Sequence, residues 1–187
     1  MEPDYRLEDL PLATPDDDPR WGEYRDLFDR AFLTGRSSEK MVAHFRRFRR
    51  DAGATMGMVT AECPDRDGRR IVAGFSCAPY THNAGAGVVD TFVLNTIAVS
   101  PAHRRRGLLR RLMHHHLQRI LEAGYPTAVL TASEGTIYGR FGFGPTLGTR
   151  TTVIDARRFG YAEGVELAEG TIEFCRPQAL VEDYDRV

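Results

Sequence analysis

A basic loop that ends at Gly107 has the composition of an anion-binding site. Three arginines precede this glycine in the segment SPAHRRRGLLR, residues 100–110. A helix that begins here leaves several backbone amides without partners, and its dipole adds positive potential. Gly107 has no side chain, so a phosphate can approach the backbone closely. The segment predicts a pyrophosphate site, although the same residues are also compatible with a solvated basic start of a helix.

A strand and a helix are predicted on either side of this loop. Val88–Val99 is rich in β-branched and apolar residues without clean alternation, which is typical of a central strand covered on both faces. The following helix has an apolar stripe and a polar face, and Gly124 and Pro126 end it. The stripe consists of Leu108, Leu109, Leu112, Met113, His116, Leu117, Ile120 and Leu121. A short buried strand over Thr127–Thr131 completes a strand-helix-strand crossover.

The chain before this crossover has the pattern of antiparallel strands and two helices. Residues 64–68 have turn composition between two strand-like runs, as expected for a hairpin. The other predicted elements are a strand over Tyr5–Leu10, a helix capped by Asp18 and ending near Phe32, a helix capped by Ser37 or Ser38, strands over Thr55–Glu62 and Ile71–Tyr80, a short helix over Ser133–Phe141 and a last strand over Thr149–Asp155. The predicted fold class is α/β (α+β), with a mixed, mostly antiparallel central sheet flanked by helices.

The second predicted helix carries four arginines beside its apolar residues. We expect it to bury Met41, Val42, Phe45 and Phe48 and to leave Arg46, Arg47, Arg49 and Arg50 on a solvated face. No exposed aromatic residues are interleaved with these arginines, and the formal net charge of the chain is −1. Nucleic-acid binding requires a basic surface, so we predict no nucleic-acid partner.

Composition favours a globular protein of the cytoplasm. No stretch is apolar enough to span a bilayer, and the acidic N-terminus lacks the basic and apolar regions of a secretory signal. The cysteines, Cys63, Cys77 and Cys175, form no CxxC pair, which suits reduced thiols. We therefore predict cytoplasmic localisation and no membrane partner.

Three consecutive histidines, His114, His115 and His116, are candidate ligands of a metal ion. Successive residues of a helix point about 100° apart, so one ion cannot be held by all three. We predict no metal.

Two longer motifs resemble a known family. They are TIAVSPAHRRRGLLRRLM at residues 96–113 and GYPTAVLTASEGTIYGRFGFGP at residues 124–145. The loop resembles the Q/R-x-x-G-x-G/A motif of the GNAT superfamily of N-acetyltransferases, with matches at Arg104 and Gly107 and a departure at Leu109, where Gly or Ala is usual. The joint motif looks like the Eis (enhanced intracellular survival) branch, which itself carries RRRGLLR. The resemblance implies the GNAT fold and an acyltransferase that uses acetyl-CoA as cosubstrate.

The resemblance also implies which residues hold acetyl-CoA. The central strand would offer backbone groups of Ile97, Ala98 and Val99 to the pantetheine arm. The pyrophosphate would be wrapped by Arg104, Arg105, Arg106, Gly107, Leu108 and Leu109. Ser133 and Glu134 match positions near the coenzyme and near the gap where the acceptor meets the thioester. The alternative for Ser133 is a structural role as a helix cap.

Tyr138 matches the tyrosine that this family uses as a general acid. A neutral amine attacks the thioester, and the departing thiolate needs a proton. Thiol and phenol pKa values of about 8.5 and about 10 are close enough for transfer. Backbone N–H groups near Ile97–Val99 can stabilise the oxyanion. The alternative for Tyr138 is a packed ring beside Phe141 and Phe143.

The predicted function is transfer of acetyl from acetyl-CoA to a primary amine of a polar acceptor. By resemblance, the acceptor is an aminoglycoside or polyamine-like small molecule, or a lysine side chain. In the family, a distant C-terminal domain delivers the terminal carboxylate that helps deprotonate the amine. This role does not transfer to Val187. The alternative function is an acetyl-CoA-binding or assembly module that is catalytically weak without the domain that supplies the base.

The domain organisation is expected to follow the family. Residues 1–158 would form the GNAT acetyltransferase domain, and residues 159–187 would form a linker and the truncated start of a second GNAT-like domain. Within the latter, a strand is predicted over 165–175 and a helix over 177–187. We expect the chain to be a fragment of a longer protein, and the family implies a homo-oligomer.

Overall fold

A computed structural model describes residues 3–63, 68–148, 150–166, 169–170 and 174–177. The chain divides into two units, residues 1–145 and residues 146–187. All α-helices and strands of the described residues lie in the first unit. None of these helices combines the length and the apolar character that crossing a bilayer requires.

The first unit is built on one five-stranded sheet. Its strands are β1 (Tyr5–Leu10), β2 (Thr55–Glu62), β3 (Arg69–Asn83), β4 (Val88–Val99) and β5 (Thr127–Leu130), in the order β1-β2-β3-β4-β5. The pairs β1-β2, β2-β3 and β3-β4 are antiparallel, whereas β5 runs parallel to β4. The helices are α1 (Arg20–Ala31), α2 (Glu39–Asp51) and α3 (Leu108–Glu122). The predicted fold class, a mixed and mostly antiparallel sheet flanked by helices, is confirmed.

The predicted caps explain where α1 and α2 begin. The Asp18 carboxylate accepts the backbone N–H of Arg20 at 2.9 Å. The Ser38 hydroxyl accepts the backbone N–H of Met41 at 3.3 Å. Each bond satisfies an amide that the first turn of a helix leaves free. The apolar face of α1 is buried, with Trp21 and Tyr24 among its core residues.

The burial predicted for α2 is wrong at three positions. Met41 and Phe48 are about half-exposed, whereas Arg49 is only 4% exposed. The Arg49 guanidinium lies over the Phe45 ring, 4.9 Å from its centroid, and donates to the Thr96 hydroxyl at 3.0 Å. Arg49 therefore takes a core position because a buried acceptor and an aromatic face compensate its charge.

The polar side chain buried in α3 is His116. Its ring stacks on Phe75, with 4.2 Å between the ring centroids, and burial lowers the pKa of His116 to about 4. The imidazole is therefore neutral near pH 7. The stripe predicted for α3 is otherwise buried or half-buried, except that Leu121 is exposed and was predicted wrongly.

Four further predictions concern the C-terminal third of the chain. Ser133–Phe141 forms no α-helix but two short 3-10 turns, Gly135–Ile137 and Gly139–Phe141. The last strand predicted over 149–155 is absent from its described residues, 150–155. The strand predicted over 165–175 is likewise absent from its described residues, 165–166, 169–170 and 174–175. The helix predicted over 177–187 lies outside the described residues except for residue 177.

Replacing Gly57 with alanine is expected to destabilise the first unit. Gly57 lies on β2, and a methyl group there would overlap the imidazole of His116. Crowding a packed core by one carbon costs about 1–3 kcal/mol. Urea denaturation would measure the loss. Gly22→Ala is the matched control, because its methyl group meets nothing within 4 Å near the start of α1 and should leave stability equal or higher. Equal stability of the two variants would contradict the predicted contact.

Candidate active site

A bulge interrupts β4 where the functional strand was predicted. Gly74 of β3 pairs with Ala98, but Ser76 pairs with Asn95, so two residues of β4 lie opposite one residue of β3. Thr96, one of these two, has a φ of 48°, which is a left-handed conformation that is unfavourable for a β-branched residue. The local twist of β4 changes at a bulge, so Ile97–Val99 continue in a new direction.

A hydrogen-bond network under the sheet holds this bulge. The Thr96 and Ser76 hydroxyls lie 2.6 Å apart, and Ser76 also donates to the Asn95 carbonyl at 3.2 Å. Arg49 donates to the same Thr96 hydroxyl. The strained residue Thr96 is therefore held through its own hydroxyl by side chains from α2 and β3.

The bulge also marks the place where β4 and β5 part. These strands pair from Thr91–Thr127 to Leu94–Leu130, and no further pairs follow among the described residues. A cleft of about 650 Å³ opens beyond this point. The segment Ile97–Val99 lines it from the sheet.

The cleft brings together the residues that the sequence predicted to hold the coenzyme. Its lining includes Ile97, Ala98, Val99, Arg104, Arg105, Gly107, Leu108, Leu109, Ser133, Glu134 and Tyr138. Arg106 is the predicted site residue that does not line it. The side chains come from β4, the loop after it, the start of α3 and the turns after β5. Their roles toward a ligand remain predictions.

The start of α3 has the features of an anion site. Gly107 has a φ of 74°, and Arg105 has a φ of 62°, so the loop turns twice through left-handed conformations. No side chain within the described residues caps α3, in contrast to α2. The amides of its first turn therefore remain available, and the helix dipole favours negative charge beside them.

The charged side chains around the cleft favour an anionic ligand. Arg104, Arg105, Arg110 and Arg140 line it, together with one carboxylate, Glu134. The excess of positive side chains and the uncapped start of α3 therefore lie in one cavity. This combination fits a polyanion such as a pyrophosphate better than a neutral or cationic molecule.

A contact from β1 supports the loop before α3. The Tyr5 hydroxyl and Nδ1 of His103 lie 3.0 Å apart, and their rings meet edge to face. Arg111 also donates to the Tyr5 carbonyl at 3.3 Å. Burial lowers the pKa of His103, and the charge of Arg106 adds to this effect. A neutral His103 thus links the edge strand to the basic loop.

Sequence reasoning missed several residues of the cleft. They are Ala31, Phe32, His103, Arg110, Ile137 and Arg140. Phe32 is half-exposed just after α1, and nothing in its apolar spacing indicated that it lines the cleft. The loop segment 100–110 contains His103 and Arg110, and the motif 124–145 contains Ile137 and Arg140. These motifs did not indicate which of their side chains face the cleft.

Tyr138 lies between the two 3-10 turns after β5. Its side chain is half-buried, and its ring meets that of Phe143 at 6.2 Å between centroids. Burial raises the pKa of Tyr138 above its usual value, and the negative charge of Glu134 raises it further. The phenol is therefore protonated at neutral pH. Among the residues that the structure describes, no side chain caps the turn Gly135–Ile137, so the alternative role of Ser133 as a helix cap is not observed.

A larger cleft of about 1100 Å³ lies beside α1 and α2. Several carboxylates line it, but three of them pair with arginines. Asp16 pairs with Arg46 and Arg50, Asp18 pairs with Arg20, and Asp26 pairs with Arg36. These three carboxylates therefore offer little free negative charge to a cationic acceptor.

Comparison with known proteins places this arrangement among acetyltransferases. The model of the acetyltransferase (GNAT) domain family matches residues 16–146. The N-acetyltransferase Eis of Mycobacterium tuberculosis is 44% identical over 96 residues, which cover 50% of this chain and 24% of that protein. An uncharacterized N-acetyltransferase of Streptomyces griseus is 35% identical over 174 residues, covering 87% of this chain and 39% of that protein.

Solved structures share the fold at low sequence identity. An aminoglycoside N-acetyltransferase in complex with CoA superposes with a TM-score of 0.61 at 14% identity, covering 82% of this chain and 97% of that one. The matched regions cover 24% and 39% of the two relatives named above, so the chain matches only part of each.

Proposed function

Because the chain belongs to the GNAT acetyltransferase domain family, we propose that its cleft binds acetyl-CoA and that the protein transfers the acetyl group to a primary amine. The observation that carries the proposal is the convergence in one cavity of Ile97–Val99, the uncapped start of α3 and Tyr138. A cosubstrate with a pyrophosphate at one end and a thioester at the other would engage all three. The solved relative that contains CoA supports the choice of cosubstrate.

Each part of the cleft has a distinct task in this proposal. The pyrophosphate binds the free amides at Gly107–Leu109, where the helix dipole and the arginines stabilise its charge. The pantetheine arm lies along Ile97–Val99, beyond the bulge. The thioester then lies on the side of the cleft that contains Tyr138.

The reaction follows from this placement. The lone pair of a neutral amine attacks the thioester carbonyl and forms a tetrahedral intermediate. The oxyanion of this intermediate accepts hydrogen bonds from backbone N–H groups near Ile97–Val99. Collapse breaks the C–S bond, and Tyr138 donates its proton to the departing thiolate. The nitrogen releases its extra proton to solvent water as the amide forms, and the Tyr138 phenolate takes up a proton from solvent. We assign no residue of this chain as the base.

The acceptor class is proposed from the family resemblance and from the relatives. Eis-like sequence motifs and an aminoglycoside N-acetyltransferase among the solved structures favour an aminoglycoside or polyamine. A lysine side chain offers the same nucleophile. These acceptors share a primary amine on a polar, cationic frame, so one assay can compare them directly.

A second candidate function is an acetyl-CoA-binding or assembly module. It is favoured by the chemistry of the site, since we assign no residue of this chain as the base that deprotonates the amine. We also propose that the GNAT domain ends at residue 158 and that a second GNAT-like domain begins after it. A homo-oligomer and a cytoplasmic location are proposed as well.

Acceptor-dependent release of coenzyme A thiol tests the proposal. Acetyl-CoA is mixed with the chain and with tobramycin, spermidine or a lysine peptide, and the free thiol is followed with a chromogenic disulfide. We expect release only when an amine is present, together with one added acetyl group by mass spectrometry. Coenzyme binding without acceptor-dependent release would favour the module, and failure to bind acetyl-CoA would reject the cleft assignment.

A further inference from the structure

Away from the cleft, two of the three consecutive histidines meet a carboxylate from β1. Asp9, His115 and His116 each offer a ligand atom, and these atoms lie within 4.8 Å of one another. None of the three lines the cleft described above. The sequence argument against one ion held by all three histidines still holds, because His114 is not part of this group. The third ligand comes instead from a strand more than a hundred residues away.

The buried member of this group has a nitrogen without a partner. His116 is 1% exposed, and its Nε2 forms no hydrogen bond within the described part of the chain. A buried polar atom without a partner costs free energy, so its presence needs an explanation.

His116 packs on a row of the sheet that ends at Asp9. Asp9, Gly57 and Phe75 lie opposite one another on β1, β2 and β3. The His116 ring stacks on Phe75, and its Nε2 edge lies over Gly57, where a Cβ would occupy its place. The missing side chain at Gly57 thus lets the imidazole lie against the sheet beside the row that ends in Asp9.

The two outer members are accessible and already in contact. Nε2 of His115 lies 3.2 Å from the Asp9 carboxylate, and both side chains are about one-third exposed. Arg119 pairs with the other oxygen of Asp9. A cation can therefore reach the group from solvent, and it would compete with the Arg119 guanidinium for Asp9.

We propose that Asp9, His115 and His116 form a binding site for a divalent transition-metal ion such as Zn²⁺. Two imidazoles and one carboxylate form a ligand set that zinc uses, with a fourth position open to water. Zinc bonds to these groups are about 2.0–2.2 Å long, so ligand atoms within 4.8 Å of one another need only small side-chain rotations to share one ion. The site would link α3 to β1 and takes no part in acetyl transfer.

Calorimetric titration of Zn²⁺ into the metal-free full chain tests the site. We expect one ion per chain. Asp9→Asn and His115→Gln should each weaken binding at least about tenfold, since even changes in the outer shell of metal sites cost 10–100-fold. Both residues are partly exposed, so these variants keep the core intact. His114→Gln is the matched control, because its ring faces Phe141 instead of the cluster, and its zinc affinity should be unchanged.

Two further readouts separate metal binding from a purely structural ion pair. Zn²⁺ should raise the melting temperature of the wild type and of His114→Gln but not that of His115→Gln. Arg119→Gln removes the competing cation and should bind Zn²⁺ as tightly as the wild type or more tightly. The proposal is overturned if the wild type binds no zinc, if Asp9→Asn or His115→Gln retains wild-type affinity, or if Arg119→Gln loses affinity as Asp9→Asn does. None of these measurements depends on acetyl transfer.

Discussion

Replacing Gly107 with glutamate is expected to weaken acetyl-CoA binding by at least about 100-fold. A carboxylate at this position would place negative charge beside the uncapped first turn of α3, where the pyrophosphate is proposed to bind. Helix-terminus effects of up to about 2 kcal/mol and charge-assisted hydrogen bonds of about 1.5–3 kcal/mol would be lost. Every 1.4 kcal/mol corresponds to a tenfold change in affinity. Calorimetric titration of acetyl-CoA measures the effect.

The glutamate also strains the backbone, and two controls isolate this contribution. Gly107 has a φ of 74°, and a Cβ there would meet nothing within 4 Å. Gly107→Ala therefore introduces the strain, about 1 kcal/mol, without charge, and should lose far less affinity. Gly85→Glu places the same residue at a positive φ in the β3-β4 turn and should bind normally. If Gly107→Glu binds as Gly107→Ala does, the pyrophosphate does not lie at this loop.

The strands and helices around the site could be predicted because their signals are local. Val88–Val99 and the start of α3 at Leu108 follow directly from composition, periodicity and a glycine. The fold class followed from the hairpin composition at 64–68 and the single crossover. The strand predicted over 149–155 failed because a β-branched run is only a propensity, and a strand requires a partner edge.

The side chains that support the bulge and the contact between β1 and α3 could not be predicted, because they act through tertiary contacts. Arg49 belongs to a run of arginines that is typical of a solvated surface, and only the fold places it under Thr96. The left-handed φ of Thr96 likewise has no sequence signal, because β-branched residues disfavour it. The meeting of Asp9 with His115 depends on the pairing of β1 with β2 and on the packing of α3. The periodicity of apolar residues in the sequence does not indicate long-range contacts of this kind.

Replacing Tyr138 with phenylalanine is expected to lower kcat by about 10²–10⁴-fold, the usual range for loss of a general acid. The substitution removes one hydroxyl from a half-buried ring that stays packed on Phe143, so the affinity for acetyl-CoA should be retained. Tyr125→Phe is the matched control, because Tyr125 packs on Phe92 and does not line the cleft. A Tyr138→Phe enzyme with wild-type kcat would show that the thiolate takes its proton from another source.

The pH dependence of kcat provides a second test of the same role. Burial and the charge of Glu134 both raise the pKa of Tyr138, so the acid form persists to alkaline pH, and activity should fall only above about pH 10. Glu134→Gln removes the negative charge, which lowers the pKa of Tyr138 and moves the alkaline fall in kcat to lower pH. Tyr138→Phe should lack this fall altogether. The Tyr138 phenol and the Glu134 carboxylate share one cleft, so removing the carboxylate should shift the fall in kcat if Tyr138 causes it. If kcat falls at the same alkaline pH in the wild type and in Glu134→Gln, a group other than Tyr138 causes the fall.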